Sequence, residues 1–129
     1  MRMDAAPFLK ELRQNHALQR ELHRYTYSLM TQITQTAACN RFHVVEARLA
    51  RWLLMTQDRM QTNAFRLTQE FLAHMLGVRR VGVTKAARVL QKDKLIGYSR
   101  GNITILDRNG LEAAACSCYD VVRDMHDAA

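Results

Sequence analysis

The sequence contains little proline and glycine, with one proline and five glycines among 129 residues. This scarcity excludes collagen-like repeats, low-complexity tracts and long flexible linkers. Its apolar runs are short, and none approaches the roughly 20 residues that a helix needs to cross a bilayer. Residues 1–10 lack the apolar stretch of a signal peptide, so we expect a cytoplasmic protein. The chain is long enough for about one globular domain.

Cysteine is also scarce, because the chain has only Cys39, Cys116 and Cys118. An odd number suits a disulfide framework poorly, and Cys-x-Cys differs from the Cys-x2-Cys pairs of most zinc sites. The five histidines are scattered along the chain. We therefore expect free thiols in a reducing compartment, with no bound metal and no other cofactor.

The net charge of +7 is concentrated in the middle of the chain. Residues 1–40 carry five basic and three acidic side chains, residues 41–101 carry twelve and four, and residues 102–129 carry two and five. A basic middle between near-neutral and acidic ends indicates a surface that binds a polyanion. The alternative is that the high pI serves only solubility.

The first forty residues predict two helices. Phe8 and Leu12, four apart, favour a short helix over residues 4–14. Asn15 can cap a second helix, since its side chain can accept from a free backbone N–H. Apolar residues then recur in steps of three and four at Leu18, Leu22, Tyr25, Leu29 and Ile33. This seam predicts a dimerisation helix of about twenty residues, interrupted at 40–42. A helix packed on its own domain is the alternative.

The next segment predicts a third helix over residues 43–56. Its apolar positions recur at helical spacing, and Trp52 is expected in the core. The polar residues 56–63 predict a loop, and residues 65–67 predict a short strand.

A helix-turn-helix is predicted between residues 68 and 91. Thr68 is a good N-cap, Ala73 stands where two helices would cross closely, and Gly77 stands where the turn needs a positive φ. The positions expected to be buried carry Leu72, Met75, Leu76, Val78, Val83 and Ala86. This combination of small, glycine and apolar positions is specific for the motif.

The following residues predict a wing. Residues 95–100 alternate as a strand, Gly101-Asn102 is a hairpin-turn signal, and residues 103–106 return. Asp107 can cap a single last helix whose apolar face carries Leu111, Ala114, Ala115 and Tyr119. The predicted fold is therefore mainly α with a small β-hairpin, a winged helix-turn-helix preceded by a long dimerisation helix.

The second helix of the motif carries the candidate base-reading residues. A helix fits the major groove of B-DNA and presents its N-terminal turns to base edges. Arg80 can donate two hydrogen bonds to guanine, and Lys85 can reach a second guanine or a phosphate. Val81 and Thr84 can contact thymine methyl groups. We expect Thr68, Gln69, Arg79, Arg88 and Arg100 to hold phosphates.

The segment Leu67 to Glu112, LTQEFLAHMLGVRRVGVTKAARVLQKDKLIGYSRGNITILDRNGLE, resembles the C-terminal half of bacterial Crp/Fnr-type transcription regulators. The resemblance extends over about residues 15–119. It implies a symmetric dimer on inverted-repeat DNA sites, with RNA polymerase as a further partner. Arg80 and Lys85 match base-reading positions of the family. Val81 replaces a common glutamate and Gly82 a common threonine, so the half-site sequence stays open.

The resemblance also implies a division near residue 40. Residues 1–40 would be a remnant of the family's sensor domain with the dimerisation helix, and residues 41–129 the DNA-binding domain. The family's β-barrel sensor is almost entirely missing from the sequence. The glycine-rich cassette of cyclic-nucleotide sites and the cysteine cluster of iron–sulfur relatives are missing as well. We therefore expect no cAMP binding.

Three other interpretations remain open at this point. The chain could heterodimerise with full-length relatives through the residue 18–29 seam and modulate them. It could bind RNA, although the clustering of basic residues on one helix argues against this. An enzyme is disfavoured, because no nucleophile–base pair or phosphate-cradling loop emerges. Glu70 and His74, four apart, more plausibly form a surface pair.

Overall fold

The computed structural model describes residues 2–128, except for the side chain of Ala128. In these residues seven helices and three strands follow one another along the chain. They are α1 (Ala5–Gln14), α2 (His16–Phe42), α3 (Val45–Met60), β1 (Ala64–Arg66), α4 (Gln69–Leu76), α5 (Arg80–Lys92), β2 (Ile96–Ser99), β3 (Asn102–Ile105), α6 (Arg108–Ala114) and α7 (Cys118–Ala128). The mainly α winged helix-turn-helix fold that the sequence predicts is confirmed. No helix among these residues combines the length and apolar character needed to cross a membrane.

The long helix α2 begins as predicted but ends later. The Asn15 side chain accepts a hydrogen bond from the Leu18 backbone N–H at 3.0 Å, which caps the helix. The predicted interruption at 40–42 is wrong, since the helix continues through Phe42 and the chain turns at His43. Cys39 is completely buried, so tertiary packing holds the last turns in place. The predicted division at residue 40 stays a prediction, and its outer ends, residues 1 and 129, lie outside the described residues.

Helix α3 starts two residues later than predicted and ends about one turn later, so the loop expected over residues 56–63 is partly wrong. The Thr56 hydroxyl donates to the Trp52 carbonyl at 2.9 Å within the helix. Helix α3 ends at Met60 and is capped by Gln61, which adopts the left-handed conformation with φ 52°. The polar residues beyond Thr56 have partners elsewhere, since Gln57 and Asp58 both contact Arg108. Their polarity therefore reflects tertiary hydrogen bonds and not a loop.

The three strands form an antiparallel sheet in the order β1-β3-β2. Phe65 of β1 pairs with Ile103, so the short strand predicted over residues 65–67 is present but lies one residue earlier, at Ala64–Arg66. The wing turn lies one residue earlier than predicted. Arg100 and Gly101 occupy it with φ of 50° and 80°, and Asn102 already pairs with Ser99. Two successive positive φ angles give the turn the twist that a tight hairpin needs.

One apolar core joins α3, the helix-turn-helix and the sheet. Its most completely buried large side chains are Leu49, Leu53, Leu54, Leu72, Leu76, Leu90, Ile96, Ile103 and Leu111. Trp52 is half-buried and packs edge-on against Phe71, with ring centroids 5.9 Å apart. Met75, expected in the core, is 46% exposed, because it lies on the outer face of α4.

The end of the chain forms two helices where one was predicted. Asp107 caps α6 as expected, accepting from the Gly110 N–H at 3.0 Å, but α6 stops at Ala114 and α7 starts at Cys118. The break allows Tyr119 to turn back onto α3, where its hydroxyl donates to Asp58 at 2.8 Å. Burial and this hydrogen bond raise the pKa of Tyr119. Arg108 also pairs with Asp58 at 2.9 Å and donates to the Tyr119 hydroxyl at 2.7 Å. These bonds hold α6 and α7 against the core domain.

Candidate nucleic-acid interface

Helices α4 and α5 meet at the tight turn that the sequence predicts. The Thr68 hydroxyl accepts from the Phe71 N–H at 3.1 Å and caps α4. Gly77 ends the helix with φ 62°, a conformation that costs little only for glycine. The next N–H, of Val78, donates to the Ala73 carbonyl at 3.0 Å. Ala73 is buried and Ala86 is fully buried, as close packing of the two helices requires.

Helix α5 has one buried face and one cationic face. Val83, Ala86, Ala87 and Leu90 point into the core. Arg80, Val81, Lys85 and Arg88 are exposed, and Thr84 is half-buried. The Thr84 hydroxyl donates to the Arg80 carbonyl at 3.1 Å, inside its own helix. Because the Thr84 hydroxyl is used in this hydrogen bond, the methyl group is the part of the side chain available for an apolar contact.

A cleft of about 490 Å³ lies between the start of α4, the face of α5 and the wing. Its lining is Thr68, Gln69, Arg80, Thr84, Ala87, Arg88, Gln91, Tyr98, Arg100 and Gly101. Six of the nine predicted DNA contacts are therefore gathered around one concave surface. Arg79 lies at a neighbouring cleft of about 440 Å³, which it shares with Arg80 and Glu70. Val81 and Lys85 lie outside both clefts, on the exposed face of the same helix.

The cations of this surface are not neutralised by the protein. Among residues 2–128, no carboxylate lies within ion-pair distance of the five predicted cationic contacts, Arg79, Arg80, Lys85, Arg88 and Arg100. The ion pairs that do form involve Arg24, Arg108 and Arg123. A concave surface with unpaired guanidinium groups has a positive potential suited to phosphate.

A family model for the Crp-like helix-turn-helix domain matches residues 47–114, which is more than half of the chain. The chain belongs to this family. No curated protein sequence matches it. The fold resembles that of a protein assigned to the Crp/Fnr transcriptional regulators from Eubacterium rectale, with a TM-score of 0.65 and 25% identity over 81% of this chain and 49% of that one.

A CRP-family transcriptional regulator from Thermus thermophilus has a similar fold, with a TM-score of 0.67 and 22% identity. That match covers 78% of this chain and 55% of the other. The chain thus spans about half the length of the solved structures that it matches. The resemblance to Crp/Fnr regulators noted in the sequence is confirmed, and the fold is that of a DNA-binding transcription regulator.

Tyr98 belongs to this Crp-like surface although the sequence prediction missed it. Tyr98 of the wing lines the cleft, and its backbone carbonyl accepts from the Gln91 side chain at 3.1 Å. Burial raises the pKa of Tyr98, while the charge of nearby Arg80 acts in the opposite direction. Side chains two residues apart on a strand point to the same face. The alternation from the apolar Ile96 could therefore have placed Tyr98 on the side facing α5.

A buried arginine, which the sequence prediction also missed, binds the end of α4 just before the turn of this Crp-like motif. The Arg48 guanidinium donates to the carbonyl of Leu76, the last residue of α4, and Arg48 is buried. A cation at this place also interacts favourably with the negative end of the helix dipole. No sequence signal indicates this role, since arginine on a helix is ordinarily a surface residue.

The predicted dimer seam on α2 is partly open to solvent. Leu18 and Leu22 are half-buried, whereas Tyr25 and Ile33 are 64% and 53% exposed and Leu29 is exposed as well. A row of large apolar side chains on one face of a long helix is unusual for a surface that faces only water.

Proposed function

We propose that this chain is a cytoplasmic, sequence-specific regulator of transcription that binds inverted-repeat sites in double-stranded DNA as a homodimer. The observation that carries this proposal is the exposed face of α5, which presents Arg80 and Lys85 beside a cleft lined with unpaired cations. The convex shape of a helix next to a concave basic surface matches a major groove flanked by phosphates.

The proposed contacts divide into two kinds. Arg80 and Lys85 donate to guanine edges, while Val81 and the Thr84 methyl group contact thymine methyls. Phosphates are held from the rim of the cleft and the wing by Thr68, Gln69, Arg79, Arg88 and Arg100. RNA polymerase is proposed as a further partner on the family resemblance alone.

Selection of bound duplexes from a random DNA pool tests this function. We expect an enriched inverted repeat whose half-site centres lie about 34 Å apart, or one helical turn, because two symmetric recognition helices enter successive major grooves. Enrichment of a single, unrepeated half-site would contradict the homodimer. Recovery of no preferred sequence by a folded protein would contradict specific readout.

Dimerisation through α2 makes a separate prediction. Tyr25→Glu places a charge in the proposed seam, and we expect it to weaken self-association by about 30-fold or more, as truncation of an interface hot spot does. Tyr27→Glu is the matched control, since Tyr27 is 75% exposed and lies on the opposite face of the helix. Sedimentation velocity over a concentration series measures both variants.

Equal effects of Tyr25→Glu and Tyr27→Glu would contradict a seam through Tyr25. A wild-type chain that stays monomeric at all concentrations, yet binds inverted repeats only after mixing with a full-length family member, would favour the heterodimeric modulator instead.

A further inference from the structure

Four side chains with metal-binding chemistry converge at the junction of α2 with the end of the chain. Cys39 and His43 come from the C-terminal end of α2, and Cys116 and Cys118 come from the connection between α6 and α7. Their sulfur and nitrogen ligand atoms all lie within 4.8 Å of one another. All three cysteines are free thiols, two of them buried and one half-buried.

The distances in this cluster fit a tetrahedral ion. The Cys39 and Cys116 sulfurs are 3.4 Å apart, and the Cys118 sulfur lies 3.4 Å from Nδ1 of His43. With Zn–S bonds of about 2.3 Å, the edge of a tetrahedral thiolate site is about 3.8 Å. These two pairs need to move apart by only a few tenths of an ångström, and no pair in the cluster is more than 4.8 Å apart.

The local backbone explains how these residue types reach one centre. Cys39 and His43 are four apart at the end of a helix, so they lie one above the other on the same face. Cys116 lies between α6 and α7, and Cys118 is the first residue of α7. Each segment contributes two ligands, and a tetrahedral site is complete with four.

Neighbouring groups complement the charge of such a site. Three thiolates and a neutral imidazole around Zn²⁺ leave one net negative charge. Arg51 is buried, 3% exposed, and within residues 2–128 its Nε has no hydrogen-bond partner. The charge of Arg51 acts on the Cys39 thiol, so this cation lies within electrostatic reach of the cluster.

A second polar group already points at a candidate ligand. The Gln35 side-chain amide donates to the Cys118 sulfur at 3.1 Å from one turn earlier on α2. Hydrogen bonds of this kind orient the ligands of metal sites and moderate the charge on their sulfurs.

We propose that Cys39, His43, Cys116 and Cys118 form a Cys3His site for Zn²⁺ that fastens the end of α2 to the α6–α7 connection. The two segments are separated by more than seventy residues, so the ion cross-links distant parts of the chain and stabilises the folded state. Because the site lies at the C-terminal end of α2, the ion restricts the direction of the helix that carries the proposed dimer seam. That last consequence rests on the proposed function, whereas zinc binding does not.

Metal binding is tested on the full chain, purified under reducing conditions. We expect one zinc per chain by elemental analysis, and on replacement by Co²⁺ the visible absorption of a tetrahedral thiolate site. Cys116→Ser and His43→Asn are expected to weaken Zn²⁺ binding by about 100-fold or more in competition with a chromophoric chelator, as loss of a ligand exceeds loss of a supporting hydrogen bond. His74→Asn, an exposed histidine of α4, is the matched control.

Thermal melting distinguishes a variant that has lost a zinc ligand from one that fails to bind zinc because it is misfolded. Zn²⁺ is expected to raise the melting temperature of the wild type and of His74→Asn, and to leave that of a folded Cys116→Ser unchanged. Cys116 suits this comparison because it is the half-buried thiol. A folded, reduced wild type that gains neither the Co²⁺ spectrum nor stability with Zn²⁺ would overturn the proposal, as would a cluster that only forms a Cys39–Cys116 disulfide. Because DNA is not used, failure here leaves the proposed DNA-binding function standing.

Discussion

The double substitution Arg80→Ala/Lys85→Ala is expected to weaken binding to a selected duplex site by at least about 30-fold. Each contact of a basic side chain to a guanine edge contributes about 1–3 kcal/mol of discrimination, so two contacts contribute about 2–6 kcal/mol. Both side chains are exposed on α5, so their loss should leave the fold intact. Fluorescence anisotropy with a labelled duplex measures the change.

The salt dependence of the same titration separates this effect from a general loss of affinity. Because these two side chains are assigned to guanine edges and not to phosphates, the slope of log affinity against log salt is expected to stay close to that of the wild type. Lys10→Ala/Arg13→Ala is the matched control, because it removes the same charge from exposed positions on α1. If this control weakened binding as much as the α5 variant, net charge and not the recognition helix would control affinity.

The largest stability effect is expected from Leu53→Ala. Leu53 is fully buried on α3, in the core that also holds the helix-turn-helix. Truncation of a buried leucine costs roughly 2–5 kcal/mol through lost burial and the cavity that remains. This is a large part of the roughly 5–15 kcal/mol by which folded domains are stable. Urea unfolding followed by circular dichroism measures the free energy of unfolding.

Met60→Ala provides the comparison for this substitution. Met60 is the last residue of the same helix and is exposed, so its truncation should change the free energy of unfolding by less than about 0.5 kcal/mol. A Leu53→Ala protein as stable as Met60→Ala would contradict the position of the core. If Leu53→Ala remains folded, it should bind DNA normally, because Leu53 contributes no group to the basic surface.

The helix-turn-helix could be predicted from sequence because its constraints are local. A glycine must adopt φ 62° at residue 77, an alanine must fit between two helices at residue 73, and Thr68 must cap the first of them. Each requirement restricts one position to a few residue types. The seam on α2 and the caps at Asn15 and Asp107 follow from equally local patterns, although the partner that would cover the seam remains a prediction.

Features that depend on tertiary partners were not accessible from the sequence. From the sequence, the polar end of α3 is expected to form a loop. In the structure it is helical, because Arg108, some fifty residues away, provides partners for Gln57 and Asp58. From the sequence, Arg48 is expected to be a solvent-exposed charge. In the structure it is buried, because its guanidinium donates to the Leu76 carbonyl. Local patterns cannot reveal such pairings, since nothing near these residues indicates the partner.

The cysteines illustrate the same limit. The usual zinc motifs pair cysteine with cysteine or histidine with histidine at short spacing. Here a helical Cys-x3-His pair meets a Cys-x-Cys pair from the other end of the chain. The sequence therefore predicts free thiols without a metal, and only the fold brings the four side chains within 4.8 Å.

Binding of the wild-type chain to random duplex DNA at two salt concentrations, beside duplex RNA of the same length, tests the central claim most directly. The major groove of RNA is too deep and narrow to admit a helix, so a recognition helix distinguishes the two duplexes. We predict tighter binding to DNA, with a slope of log affinity against log salt of about −9 for a bound homodimer, whose two protomers each present five cations to phosphates of random DNA. A folded protein that ignores DNA even at low salt, or that prefers the RNA duplex, would contradict a DNA-binding winged helix.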